Sequence, residues 1–147
     1  MEDLIEKIKT CLANSFAFTL KTQSYHWNVI GSDFPQLHDL FGRIYEEVDG
    51  AVDALAEHIR QLDAFAPGTL TRMLEIATIE EDDRIPVASK MVTNLIDAND
   101  VMIACLEEAY TMAEEQKKFG LSNYLQDRLT AHSKHRWMLK ATAGQKE

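Results

Sequence analysis

Few residues in this 147-residue chain break helices, since it holds only six glycines and three prolines. That scarcity excludes a turn-rich β sandwich and a collagenous repeat. Basic residues are also short, 15 against 24 acidic ones, which leaves a net charge of −9. Such a surface repels phosphate backbones and anionic lipid, so nucleic acid is not the default partner. No apolar run approaches the roughly 20 residues that span a bilayer. The start, Met1-Glu2-Asp3-Leu4-Ile5-Glu6, lacks the basic-then-apolar layout of a signal peptide. No membrane contact and a cytoplasmic location are expected. The two cysteines, Cys11 and Cys105, form no Cys-x-x-Cys pair. Each reads as a small buried apolar residue of a reducing compartment, with little weight on redox chemistry.

What is present is apolar periodicity. With 46% apolar and 27% charged residues, residues 1–147 are expected to form one domain large enough to bury its own core. Helix A runs from Leu4 to about Trp27, through Ile8, Cys11, Leu12, Phe16, Thr19 and Leu20. Asp33 and Pro35 open helix B, whose stripe passes through Leu37, Phe41, Ile44, Val48, Val52, Leu55, Ile59 and Leu62 until Ala66-Pro67-Gly68 stops it. A short helix over Leu70 to Ala77, an acidic stretch and Pro86 make a crossover. Helix C then covers Val87 to Phe119, with Gly120 as its stop. Helix D spans Ser122 to Ala143, with Trp137 and the methionines read as core or subunit contact. Four long helices with a short helix in the crossover between B and C make an all-α, ferritin-like four-helix bundle with one long connection.

A di-iron site inside such a bundle needs Glu-x-x-His pairs, because spacing three puts both side chains on one helix face. The residues three before His26, His38, His58, His132 and His135 are Gln23, Pro35, Leu55, Leu129 and His132. The intra-bundle site is therefore excluded. The polar face of helix B carries His38, Gly42, Glu46, Asp49, Asp53 and Glu57. A solvated face would explain the charges but not Gly42 and Gly50, since glycine inside an exposed helix costs about 1 kcal/mol relative to alanine. A close approach by a second helix is expected there. Asp53 and Glu57, four apart, can share a cation. His38 lies about 22 Å from Asp53 along the helix, so one chain cannot bring them together. A two-fold axis across helix B would place His38, joined by His26, against Asp53 and Glu57 of the partner subunit. Two imidazoles and two carboxylates suit iron, zinc or manganese better than calcium.

Tyr25-His26-Trp27-Asn28-Val29, Gly31, Phe34, Leu37-His38, Phe41, Asp53 and Ala56-Glu57, with Trp137-Met138-Leu139 near the end, together resemble the Dps mini-ferritins, the DNA-binding proteins from starved cells. The resemblance implies a homo-oligomeric, hollow dodecamer with a ferroxidase centre at each two-fold interface. There Fe(II) would be oxidised, preferably by hydrogen peroxide and otherwise by oxygen, and stored as ferric mineral against oxidative stress. It implies His26 and His38 as metal ligands from one subunit, Asp53 and Glu57 from its mate, and Trp27 as a nearby aromatic. Two departures stand out. Where the family commonly has an Asp four residues after the second His, this chain has Gly42, for which Glu46 or a water is the candidate substitute. Where the family often has acidic pore residues, it has Leu121, Ser122 and Asn123. The family's Lys-rich tail is also missing, since only Lys7, Lys9 and Lys146 lie near the ends, and no useful DNA affinity is expected. Two other readings stay open: a structural or nucleoid-associated cage with degenerate metal sites, and zinc or another divalent metal held only to stabilise the interface. His58 is read as facing solvent or another helix, and His132 and His135 as packing or surface residues.

Overall fold

The computed structural model describes residues 1–145 as five helices: α1 (Glu2–Asn28), α2 (Phe34–Gln61), α3 (Leu70–Ile76), α4 (Ala88–Glu115) and α5 (Phe119–Thr142). Helices α1 and α2 pack along their length as one hairpin, α4 and α5 as another, and α3 lies in the crossover against α1. The expected all-α bundle with a short helix between its second and third long helices is what the chain forms. Among the described residues no helix is long and apolar enough to cross a membrane. The C-terminal Lys146 falls outside the described residues.

The buried stripe of α1 runs Leu4, Ile8, Cys11, Ser15, Phe18, Thr22 and Tyr25, steps of four and three that hold one helix face toward the core. The sequence reading left this phase after Leu12 because Ser15 and Thr22 are polar. Both hydroxyls instead donate to the carbonyl one turn earlier, Ser15 to Cys11 and Thr22 to Phe18, each at 2.8 Å, so they enter the core already satisfied. Leu20, expected inside, is exposed, and Phe18 is buried in its place. Trp137 is exposed in the lone chain, which removes the core alternative and leaves that of a subunit contact.

Two helix ends differ from expectation. Helix α2 stops at Gln61, where Asp63 takes φ +63°, ahead of Ala66-Pro67-Gly68. Helix α4 stops at Glu115 with Lys117 at φ +57°, and Gly120 lies within the first turn of α5. The left-handed residue that turns the chain is thus a lysine, a choice that glycine-based punctuation cannot reveal.

Polar residues of α1 fasten the crossover. The buried Asn14 accepts from the backbone N–H of Thr78 (2.7 Å) and of Ile79 (3.1 Å) through Oδ1 and donates to Thr78 Oγ1 (2.9 Å). Tyr25 donates its hydroxyl to Asp82 at 2.7 Å. Burial and this bond raise the Tyr25 pKa to about 12. Lys21 Nζ donates to the Glu80 carbonyl at 3.0 Å.

Candidate metal centre

The end of α1 and the start of α2 interlock through two histidines. His26 Nδ1 donates to the His38 carbonyl at 2.6 Å, and His38 Nδ1 donates to the His26 carbonyl at 2.7 Å. Their rings stack with centroids 3.8 Å apart and planes 14° from parallel. This exchange assigns the proton of each neutral ring to Nδ1 and leaves Nε2 with its lone pair, the form in which imidazole ligates a metal. Both rings are half-buried. Phe34 stacks on His38 at 5.0 Å and Tyr45 tilts against His26 at 5.3 Å. The sequence reading missed these aromatic neighbours, although Phe34 lies four residues before His38 on one helix face. Trp27, expected beside the centre, is 61% exposed in the chain.

Gly42 has a definite steric reason. A Cβ at this position would lie 3.0 Å from His26 Cε1 and 3.1 Å from His26 Nδ1. The close approach expected there is real, and it comes from α1 of the same chain. Gly50 meets nothing within 4 Å.

Asp53 and Glu57 sit exposed on the same outer face of α2 as Glu46 and Asp49. Helix α2 is continuous from Phe34 to Gln61, so the axial rise of about 22 Å between His38 and Asp53 stands. The fold therefore unites His26 with His38, keeps Asp53 beside Glu57, and holds the two pairs apart. Among the described residues of one chain, no three His, Cys, Asp or Glu side chains converge to hold a metal.

A second polar cluster runs from the bundle interior out to Glu47 at its surface. Arg128 grips Glu47 with both guanidinium arms, and His135 Nε2 lies 2.8 Å from Glu47 Oε1. Arg128 also donates to His132 Nε2 at 3.2 Å, His132 Nδ1 donates to Asn99 Oδ1 at 2.7 Å, and Asn99 returns a bond to the His132 carbonyl at 2.9 Å. Burial pushes the Glu47 carboxyl up, but the bonds from His135 and Arg128 outweigh it and bring its pKa to about 2. Burial, reinforced by the Arg128 charge, lowers His132 to about 3 and keeps it neutral. The carboxylate that faces these histidines comes from α2, and Arg128, bonded to both Glu47 and His132, supplies the positive charge there. His132 and His135 are packing residues, as expected, and neither is a surface residue. His58 rests on Tyr124, ring centroids 4.8 Å apart, and burial lowers its pKa. Leu121 and Ser122 are buried within the chain, with Ser122 donating to Glu114 at 3.0 Å, while Asn123 is exposed.

An antiparallel bundle with its crossover helix, whose inward polar cluster is closed by an arginine and whose histidine pair lies at a helix junction, defines a ferritin-like protein without the intra-bundle centre. Known proteins agree: the ferritin-like domain family matches residues 5–146. General stress protein 20U of Bacillus subtilis is 32% identical over 146 residues, covering 97% of this chain and 99% of that protein. The DNA protection during starvation protein of Brevibacillus brevis is 31% identical, with 88% and 87% covered. The Dps structure from Staphylococcus aureus superposes with a TM-score of 0.93 at 29% identity, covering 97% and 96% of the two chains. This chain belongs to the Dps family of ferritin-like proteins.

Proposed function

We propose that the chain is the subunit of an iron-oxidising, iron-storing cage, a homo-oligomer and in this family's manner a dodecamer. Its ferroxidase centres form where two subunits meet across α2, with His26 and His38 from one and Asp53 and Glu57 of the partner subunit. The observation that carries this reading is the reciprocal histidine lock, which commits both Nδ1 protons to backbone carbonyls and presents two preset nitrogen donors. The exposed apolar side chains Trp27, Ile30, Leu70 and Leu74, from 61% to 80% accessible in the lone chain, support burial against further copies.

Fe(II) and hydrogen peroxide are the proposed substrates. Each of two Fe(II) ions gives one electron, the O–O bond breaks, and with two protons the peroxide leaves as two waters. The carboxylates offset the rising metal charge, and the imidazoles hold iron while leaving positions open for oxidant. Because peroxide is consumed by paired metal ions, hydroxyl radical release is suppressed. With Gly42 packed under the His26 ring, Glu46 one turn further along is the carboxylate proposed to complete the second iron position. The acidic surface argues against phosphate contacts, so DNA is not a proposed partner.

Anaerobic Fe(II) titration of the metal-free assembly, followed by peroxide, tests the reading. Rapid ferric absorbance in the native protein, falling to the protein-free rate in both His38→Ala and Asp53→Ala, is expected. A native rate equal to protein-free buffer would instead leave a structural cage. Zinc binding with unchanged oxidation, and assembly only when metal is present, would point to a metal held for the interface alone.

A further inference from the structure

We infer that Cys11 and Cys105 are a peroxide-oxidisable pair that closes to an intrachain disulfide and staples α1 to α4. The two residues are 94 apart in sequence, yet their sulfurs lie 3.0 Å apart in the core. A disulfide bond is about 2.05 Å long, so closure needs an approach of roughly 1 Å, within reach of small side-chain rotations. The register is fixed from beside the pair. Lys7, one turn before Cys11, forms an ion pair with Glu108, nearly one turn after Cys105, which pins the two helices against sliding.

The sulfurs are chemically unequal. Once Cys105 is ionised the Cys11 thiol can donate to it, and the Lys7 ammonium lies nearby, so the Cys105 pKa is lowered. The Cys11 thiol, held against Cys105 and fully buried, has its pKa raised. Cys105 also keeps 7% of its surface accessible against none for Cys11. Thiolate character and access mark the residue that meets oxidant first. The Cys105 thiolate attacks one peroxide oxygen, the O–O bond breaks, and the other oxygen takes a proton and leaves as water, giving a sulfenic acid. Cys11 then attacks that sulfur, the S–O bond breaks, and the second oxygen leaves as water with the thiol proton. Two thiols and one hydrogen peroxide become one disulfide and two waters. No iron enters the step, so it stands independently of the ferroxidase reading.

The test exposes the iron-free, assembled full chain to hydrogen peroxide, then unfolds and alkylates it. Expected are joint loss of both alkylatable thiols, a mass lower by two hydrogen atoms, a dithiothreitol-reversible peptide link between residues 11 and 105 of the same chain, and, in Cys11→Ser, a dimedone-trapped sulfenic acid at Cys105. Two surviving thiols in the native chain, or a link between different chains, would overturn the inference. The measurement on the native chain decides it even if a serine variant fails to fold.

Discussion

The proposed division of ligands between subunits makes a quantitative prediction about mixed assemblies. His38→Ala removes a nitrogen donor at one end of α2, and Asp53→Ala removes an oxygen donor fifteen residues further along. At 1.5 Å per residue the two positions are about 22 Å apart, whereas metal–ligand bonds are roughly 2 Å, so no flexing of one helix lets a single chain use both. In a dimer of one variant chain with the other, one interface site loses both residues, and the other takes intact His38 from the Asp53→Ala chain and intact Asp53 from the His38→Ala chain. Random one-to-one pairing makes half of all dimers mixed, with one intact site of two in each, so the mixture should recover about one quarter of the native rate. Each variant alone should remain near background. The assay is peroxide-driven Fe(II) oxidation by cages co-expressed from both genes, with the chain ratio measured by mass spectrometry. A mixture that stays at background would refute the shared site, and a single variant that keeps most of its rate would refute the ligand assignment.

Gly42→Ala places a methyl group 3.0 Å from the His26 ring; alanine's helix propensity gain of up to about 1 kcal/mol should keep stability level in chemical denaturation, while Fe(II) oxidation drops about tenfold as the ring is displaced. Glu46→Gln should lower the number of Fe(II) bound per subunit in anaerobic titration; unchanged stoichiometry and rate would exclude Glu46 as the second-site carboxylate. Asn14→Ala leaves the buried N–H of Ile79 and the part-buried N–H of Thr78 without their acceptor and should cost about 1–3 kcal/mol, measured at fixed protein concentration. Acid should unfold the chain in two stages. His132, at about 3 when folded against an ordinary 6.5, binds its proton more readily in the unfolded chain, so stability falls as pH drops through 6.5 toward 3. Glu47, at about 2 against 4.5, adds stability that is present above 4.5 and lost toward 2. Thermal midpoints across pH should show both limbs, and His132→Gln should flatten the upper one.

The bundle and its crossover were legible because α2 repeats apolar residues with little interruption and Pro86 interrupts the connection. The phase of α1 was not, since Ser15 and Thr22 hide a buried stripe behind polar names and only their bonds to the preceding turn explain their burial. Gly42 announced a close contact without naming its neighbour, because His26 arrives from another helix. Glu47 escaped notice for the same reason: its partners His135 and Arg128 are more than eighty residues away, and no local spacing encodes such a meeting. The sulfur pair, too, exists only once α1 lies against α4.

Every proposed ligand of the metal centre lies between residues 26 and 57, on a single helical hairpin closed by the exchange of two imidazole protons. The hairpin formed by α4 and α5 contributes none. On the proposed reading the metal-handling groups thus all lie in the first half of the gene, and substitutions on the α4–α5 hairpin leave their positions untouched.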